Sequence, residues 1–230
     1  MKQLHILLFF ISLFFNVVAN SQQKIDTVTF KESYGLRIGA DILKPGISLF
    51  DNKNKGIELT GDVRFYKNYY AAVELGFENK TSTEEYLNFT TKGSFVKVGI
   101  NYNAYQNWKG MANEIFVGAR YGFSFFNQTL NNYIPNIKGT YFTTNQIASG
   151  TEFKDLNAHW IEFVAGMKVE TLKNLYLGTQ ISVKKMISTK EPSNFKNLYA
   201  PGFNRIYLNN MGIGFNYTIS YLIPIIRKNN

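Results

Sequence analysis

From residue 33 onward apolar and polar side chains alternate with a period of two, and nowhere is a helical period sustained. Alternation of this kind sends successive side chains to opposite faces of a strand, so it marks a sheet whose two sides meet different environments. It predicts eight strands, over 33–43, 56–66, 70–78, 93–103, 114–125, 159–171, 174–186 and 208–222. In the second, Ile57, Leu59, Gly61, Val63 and Phe65 share one face, and Glu58, Thr60, Asp62, Arg64 and Tyr66 the other. The connections alternate too: 67–69, 104–113 and 172–173 are short, whereas 44–55, 79–92, 126–158 and 187–207 are long. An even number of strands with short turns at one end and long loops at the other predicts an all-β, antiparallel up-and-down transmembrane barrel. Closure is required, because lipid offers no partner to an unpaired sheet edge.

A water-soluble barrel of the lipocalin kind alternates in the opposite sense, so the pattern must be oriented. Fourteen charged residues in these spans share the polar parity, and only Lys185 has the other. All the glycines but Gly61 share it as well, as a narrow interior filled by long side chains requires. Aromatic residues of the apolar parity gather at strand ends: Tyr34, Phe65, Tyr69, Tyr102 and Tyr221 toward the short turns, Phe77, Tyr121, Phe123 and Phe125 toward the long loops. Two such groups are expected as interfacial girdles. The polar face is therefore expected inside and the apolar face in lipid.

On this pattern the chain resembles the small OmpA-like and OmpX-like outer-membrane barrels, over roughly residues 33 to 222. The resemblance implies a monomer in the outer membrane of a Gram-negative bacterium, inserted by the barrel-assembly machinery and in contact with outer-membrane lipids. It rests on pattern and not on a signature motif, so it implies little about activity. At the C-terminus the chain departs from such barrels, which end on an aromatic residue: Tyr221 is followed by Leu-Ile-Pro-Ile-Ile-Arg-Lys-Asn-Asn. Either the assembly signal lies within the last strand, or that strand runs to Ile225 with Pro224 at its exposed end. The barrel is thus expected over 33–225, with a tail at 226–230.

Residues 1–21 read as a cleaved secretory leader: Lys2, an apolar stretch from Leu4 to Val18, then Val-Ala-Asn-Ser. That stretch, about 15 residues, is short of the roughly 20 a spanning helix needs. Cleavage after Ala19 and after Ser21 both fit, and 22–32 follows as a periplasmic segment.

Composition narrows the function. The chain has 25 Lys and Arg against 16 Asp and Glu in 230 residues, a formal charge of +9, and no cysteine. Without cysteine there is no disulfide framework, thiolate metal site or cysteine nucleophile. Mean hydropathy is −0.18 with a pI near 9.5, but the basic residues are scattered and no nucleic acid partner is expected. Several, including Lys44, Lys53, Lys154 and Lys190, fall in long loops, free to meet anionic headgroups or simply water. No cofactor, metal or catalytic residue is assigned. His159, the one histidine beyond the leader, stands near Glu162 as a conceivable acid–base pair, but a solvated strand-end histidine accounts for it better.

Hairpin geometry predicts one inward charge from each of the first seven strands on a common belt: Arg37, Asp62, Glu74, Lys97, Arg120, Glu162 and Lys184. The expected neighbours are Arg37 with Asp62, Asp62 with Glu74, Glu74 with Lys97, Lys97 with Arg120, Arg120 with Glu162, and Glu162 with Lys184. Paired charges in so narrow an interior read as a plug. The expectation is a non-enzymatic barrel whose long loops, above all 126–158 and 187–207, serve adhesion, binding of an extracellular ligand or envelope integrity. A narrow channel is the alternative, and a lipid-modifying enzyme a more remote one. Two further strands within 133–147 would make ten.

Overall fold

A computed structural model describes residues 32–105, 113–135, 147–192 and 196–228. The leader and residues 22–31 lie outside the described residues. Eight long strands close a ring: β1 (Glu32–Asp41), β2 (Asn54–Tyr66), β3 (Tyr69–Thr83), β4 (Leu87–Asn103), β5 (Glu114–Tyr133), β6 (Ile147–Leu172), β7 (Leu175–Thr189) and, last in the chain, β10 (Met211–Lys228). Each pairs antiparallel with its neighbour along the chain, and β1 pairs with β10 to complete an eight-stranded barrel. A two-residue pair, β8 (Tyr199–Ala200) and β9 (Asn204–Arg205), stands apart from the wall.

Several expected loops are strand or helix. β3 and β4 run on until only residues 84–86 separate them, so 79–92 is not a long loop. β5 and β6 likewise continue through much of 126–158, overhanging one end of the barrel. The wall has eight strands and not ten; residues 136–146 lie outside the described residues. Within 44–55 the chain forms α1 (Leu43–Phe50). Asp41 Oδ1 accepts the N–H groups of Leu43 and Lys44, and Pro45 sits in the first turn, where a missing N–H costs nothing. The final strand passes Ile225 to reach Lys228, and Pro224, opposite Gly35, lies at a register shift that accommodates its lack of an N–H.

The two faces differ as the alternation requires. Leu59, Val98, Ile100, Phe163, Ile181 and Ile213 on the exterior are all about half exposed or more. Arg37, Glu58, Glu74, Lys97, Arg120, Glu162 and Lys184 are buried inside. Among the described residues no helix is long and apolar enough to cross a membrane, which says nothing of a barrel.

Candidate functional site

The lumen is filled by three linked groups of charges. Nearest the short turns, Arg37 on β1 reaches across the barrel to β5, where its guanidinium forks onto Glu114 with Nη1 to Oε2 at 3.0 Å. Arg37 also lies 3.4 Å from Asp62, which is ion-paired with Lys168. Its guanidinium carbon stands 4.4 Å from the centre of the Tyr176 ring. In the middle, Lys97 Nζ donates to Glu74 at 2.8 Å and Glu58 at 3.3 Å, with Glu162 at 3.9 Å. Arg120 Nε meets Glu74 at 3.4 Å and its Nη1 donates to the carbonyls of Ile100 and Ala119. Toward the loops, the Lys44 ammonium bridges Glu58 and Glu78. Charges with no access to water are stable only when paired in this way.

All seven belt residues are in the lumen, but the belt is not one ring. Arg37 stands opposite Asp62, Glu74 opposite Lys97, Arg120 opposite Glu162, and Glu162 opposite Lys184. Asp62 faces Ala72 instead of Glu74. The turn there is two residues, Lys67–Asn68, with Lys67 at φ 36 and a bulge between Arg64 and Tyr66, which moves the register by two. Lys97 faces Gly122 and Arg120 faces Gly99, again two residues from the expected pairing. Glu58, Glu78, Glu114 and Lys168 join the network from outside the expected belt; their inward parity is the signal that finds them. Lys44 has no such signal, and it turns inward from α1 instead of toward lipid headgroups.

Above the charges lies an apolar cluster. Phe95, Phe126, Leu156, Ala158, Trp160 and Met186 come from the wall, and Ala200 and Phe203 from the β8–β9 hairpin. Residues 199–203 of the expected 187–207 loop are buried, so this part of the loop is a stopper in the barrel mouth. The Phe203 ring meets Trp160 edge-on at 5.8 Å. Tyr199 Oη and the Gly202 N–H both donate to Glu78 Oε2, at 2.6 and 3.1 Å, and Lys184 Nζ donates to the Gly202 carbonyl at 2.6 Å. Tyr199 is held neutral well above the ordinary range of a phenol, first by burial and then by the Glu78 carboxylate. Burial pulls the Lys44 ammonium down, but Glu78 and Glu58 outweigh it and hold its pKa above the usual value. At Gly122, opposite Trp160, a Cβ would overlap the indole ring, which is why the inward glycine is needed there.

Outside, Phe65, Tyr69, Tyr102 and Tyr221 are exposed toward the short turns, and Phe77, Tyr121 and Phe125 toward the loops, with Phe123 half-buried. The side chain of Tyr34 lies outside the described residues. Tyr69 and Tyr102 are in contact at 5.2 Å between ring centres, and Phe123 and Phe125 at 4.2 Å. His159 joins the second group, 4.4 Å from the Phe123 ring, with Nδ1 2.8 Å from Tyr121 Oη. Glu162 is inside the barrel, where it accepts from Trp160 Nε1 at 2.6 Å, so the two do not form an acid–base pair. Among the described residues no group of three or more His, Cys, Asp or Glu is placed to hold a metal ion.

A closed sheet with an apolar exterior, aromatic girdles at both ends and ion-paired charges within defines a membrane-embedded β-barrel protein. This chain belongs to the family described as "Domain of unknown function (DUF6048)", whose sequence model matches residues 1–228. No curated relative matches. Among solved structures, the chain is similar to Ail, the attachment invasion locus protein of Yersinia pestis, at 10% identity and a TM-score of 0.38, over 84% of this chain and 99% of that one. It is also similar to a major outer membrane protein from Thermus thermophilus, at 11% identity and a TM-score of 0.41, over 83% and 98%.

Proposed function

We propose that the protein is a monomeric barrel of the Gram-negative outer membrane with a sealed lumen, a non-enzymatic envelope component that acts through its exterior and its loop-side surface. The supporting observation is double closure. The charge network joins β1 to β5 and β4 to β2 and β6 across the interior, and the β8–β9 hairpin is seated above it on Glu78, Lys184 and Trp160. Between the two lower charge groups remains a cavity of about 30 Å³, room for a water molecule and not for a solute. The leader directs the chain out of the cytoplasm, and the girdles suit a bilayer. The overhanging β5–β6 sheet offers adhesion or ligand binding a rigid platform.

Two measurements test this reading. Purified protein in a planar bilayer is expected to carry no sustained current; stable open-channel steps would replace the sealed lumen with a channel. Unboiled and boiled samples are expected to migrate differently on a detergent gel, and identical mobility would remove the membrane barrel itself.

A further inference from the structure

On the loop side of the upper girdle the exterior of the sheet is hollowed. β5 and β6 fall out of step between Phe126 and Gln128: Phe126 pairs with Leu156 and Gln128 with Phe153, which leaves Lys154 and Asp155 opposite the single residue Asn127. Asp155 takes a left-handed backbone at φ 56. A bulge bends its strand and sharpens the local twist, and the outer face of β3, β4, β5 and β6 carries an open cleft of about 710 Å³. That volume is in the range of small-molecule sites.

Register arranges its lining in rows. Phe77 and Phe125 flank Ser94 in the lowest, at the girdle. Asn79, Lys92 and Asn127 form the next, and Thr90, Thr129 and Glu152 the one beyond. Rows two residues apart along a strand are separated by roughly 7 Å. The aromatic row therefore meets acyl chains while the polar rows stand at headgroup height.

Charge decides what chemistry fits. Lys92 shares the cleft with Glu152 and Asp155, and Lys154 at its edge lies 3.3 Å from Glu152, so with Lys154 included the charges of the site balance. A phosphate would meet the two carboxylates, and a cation the Lys92 ammonium. Asn127 is set in place by donating to Glu152 at 3.4 Å and accepting the Asp155 N–H at 3.3 Å. The side chains of Asn79, Lys92 and Thr129 have no hydrogen-bond or ion-pair partner among the described residues. Amides, hydroxyls and an ammonium together offer donors and acceptors suited to a polyhydroxylated ligand.

We propose that this cleft binds the neutral saccharide head of an outer-leaflet glycolipid, with its acyl chains against Phe77 and Phe125 and its hydroxyls on Asn79, Lys92 and Thr129. The assignment rests on the barrel lying in a membrane. The test uses the full chain in nanodiscs of dioleoylphosphatidylcholine with digalactosyl diacylglycerol, and native mass spectrometry counts the lipids retained. The wild type is expected to retain the glycolipid in preference to phosphatidylcholine. Asn79→Ala combined with Thr129→Ala is expected to weaken that retention about tenfold. Equal retention of the two lipids, or no difference between wild type and variant, would overturn the site. Binding of soluble digalactose as tight as that of the glycolipid would overturn the lipid source. The heat-dependent gel shift is followed in parallel: its loss in the wild type points instead to failure of the membrane barrel. If the double variant alone loses the shift, Lys92→Gln replaces it, with the same two outcomes.

Discussion

Glu162 shows how the lumen holds charge. Its Oε1 accepts the Trp160 N–H and lies 3.6 Å from Lys184 and 3.9 Å from Lys97, with its side chain fully enclosed. Replacing it with alanine leaves two buried ammonium groups short of an anion and the indole N–H short of an acceptor. Breaking a buried pair from one side costs about 3–5 kcal/mol. Glu162→Ala is therefore expected to lower the urea unfolding midpoint in detergent, and Glu162→Gln, which keeps an acceptor for Trp160, to lower it less. An unchanged midpoint for the alanine variant would remove the charge network as a source of stability. At this scale the inward parity of the wall charges that fill the lumen is legible in the sequence. Partnership is not: Arg37 meets Glu114 because β1 and β5 face each other across a closed ring, and no hairpin register relates them.

The β8–β9 hairpin is the element hardest to read. Tyr-Ala-Pro-Gly-Phe at 199–203 carries a Pro-Gly pair that marks a turn, and a turn is ordinarily placed at the surface. Its burial follows from partners elsewhere in the chain: Glu78 needs donors, Lys184 an acceptor, and Trp160 a ring to pack against. Gly202, at φ 77 and beneath the Phe95 ring, admits no side chain. Gly202→Val is expected to unseat the hairpin and speed hydrogen exchange over 197–206 while the wall stays protected; unaltered exchange there would mean the hairpin is not held by this fit. The hairpin also has a pH dependence of definite sign. Tyr199 in the folded state titrates well above a free phenol, so its stabilising effect is complete below pH of about 10 and is lost as pH rises through the folded value. Exchange of the same segment should be flat from neutral pH to about 10, beyond the intrinsic change in amide exchange rate, and rise only above that. In Tyr199→Phe that alkaline rise should be absent. A rise in the neutral range would place the responsible group elsewhere.

As a whole the molecule is a globular protein turned inside out, and its composition reflects this: near-neutral hydropathy is the sum of an apolar exterior and a polar interior. The lumen sets the cations Arg37, Lys44, Lys97, Arg120, Lys168 and Lys184 against the anions Asp41, Glu58, Asp62, Glu74, Glu78, Glu114 and Glu162, which nearly cancel, so the excess positive charge of the chain lies outside it. Architecture is the most legible level, because a period of two is local and each strand repeats it independently; strand ends are less so, since β3 to β6 continue past the girdle where the exterior turns polar. Depth in the bilayer distinguishes this barrel from a soluble one with the same topology. Val98 lies on the exterior midway along β4 between Ser94, in the row of Phe77 and Phe125, and Tyr102, which lies at the short-turn girdle beside Tyr69. A lysine on the lipid face costs about 2–4 kcal/mol at the bilayer midplane and about 0–1 near its edges. Val98→Lys should therefore reduce the folding free energy in phosphatidylcholine vesicles by several times as much as Tyr102→Lys, as read from urea titrations followed by tryptophan fluorescence. Equal, small effects at the two depths would mean that water and not lipid bathes this surface, and the exterior would have to be explained as an interface between proteins.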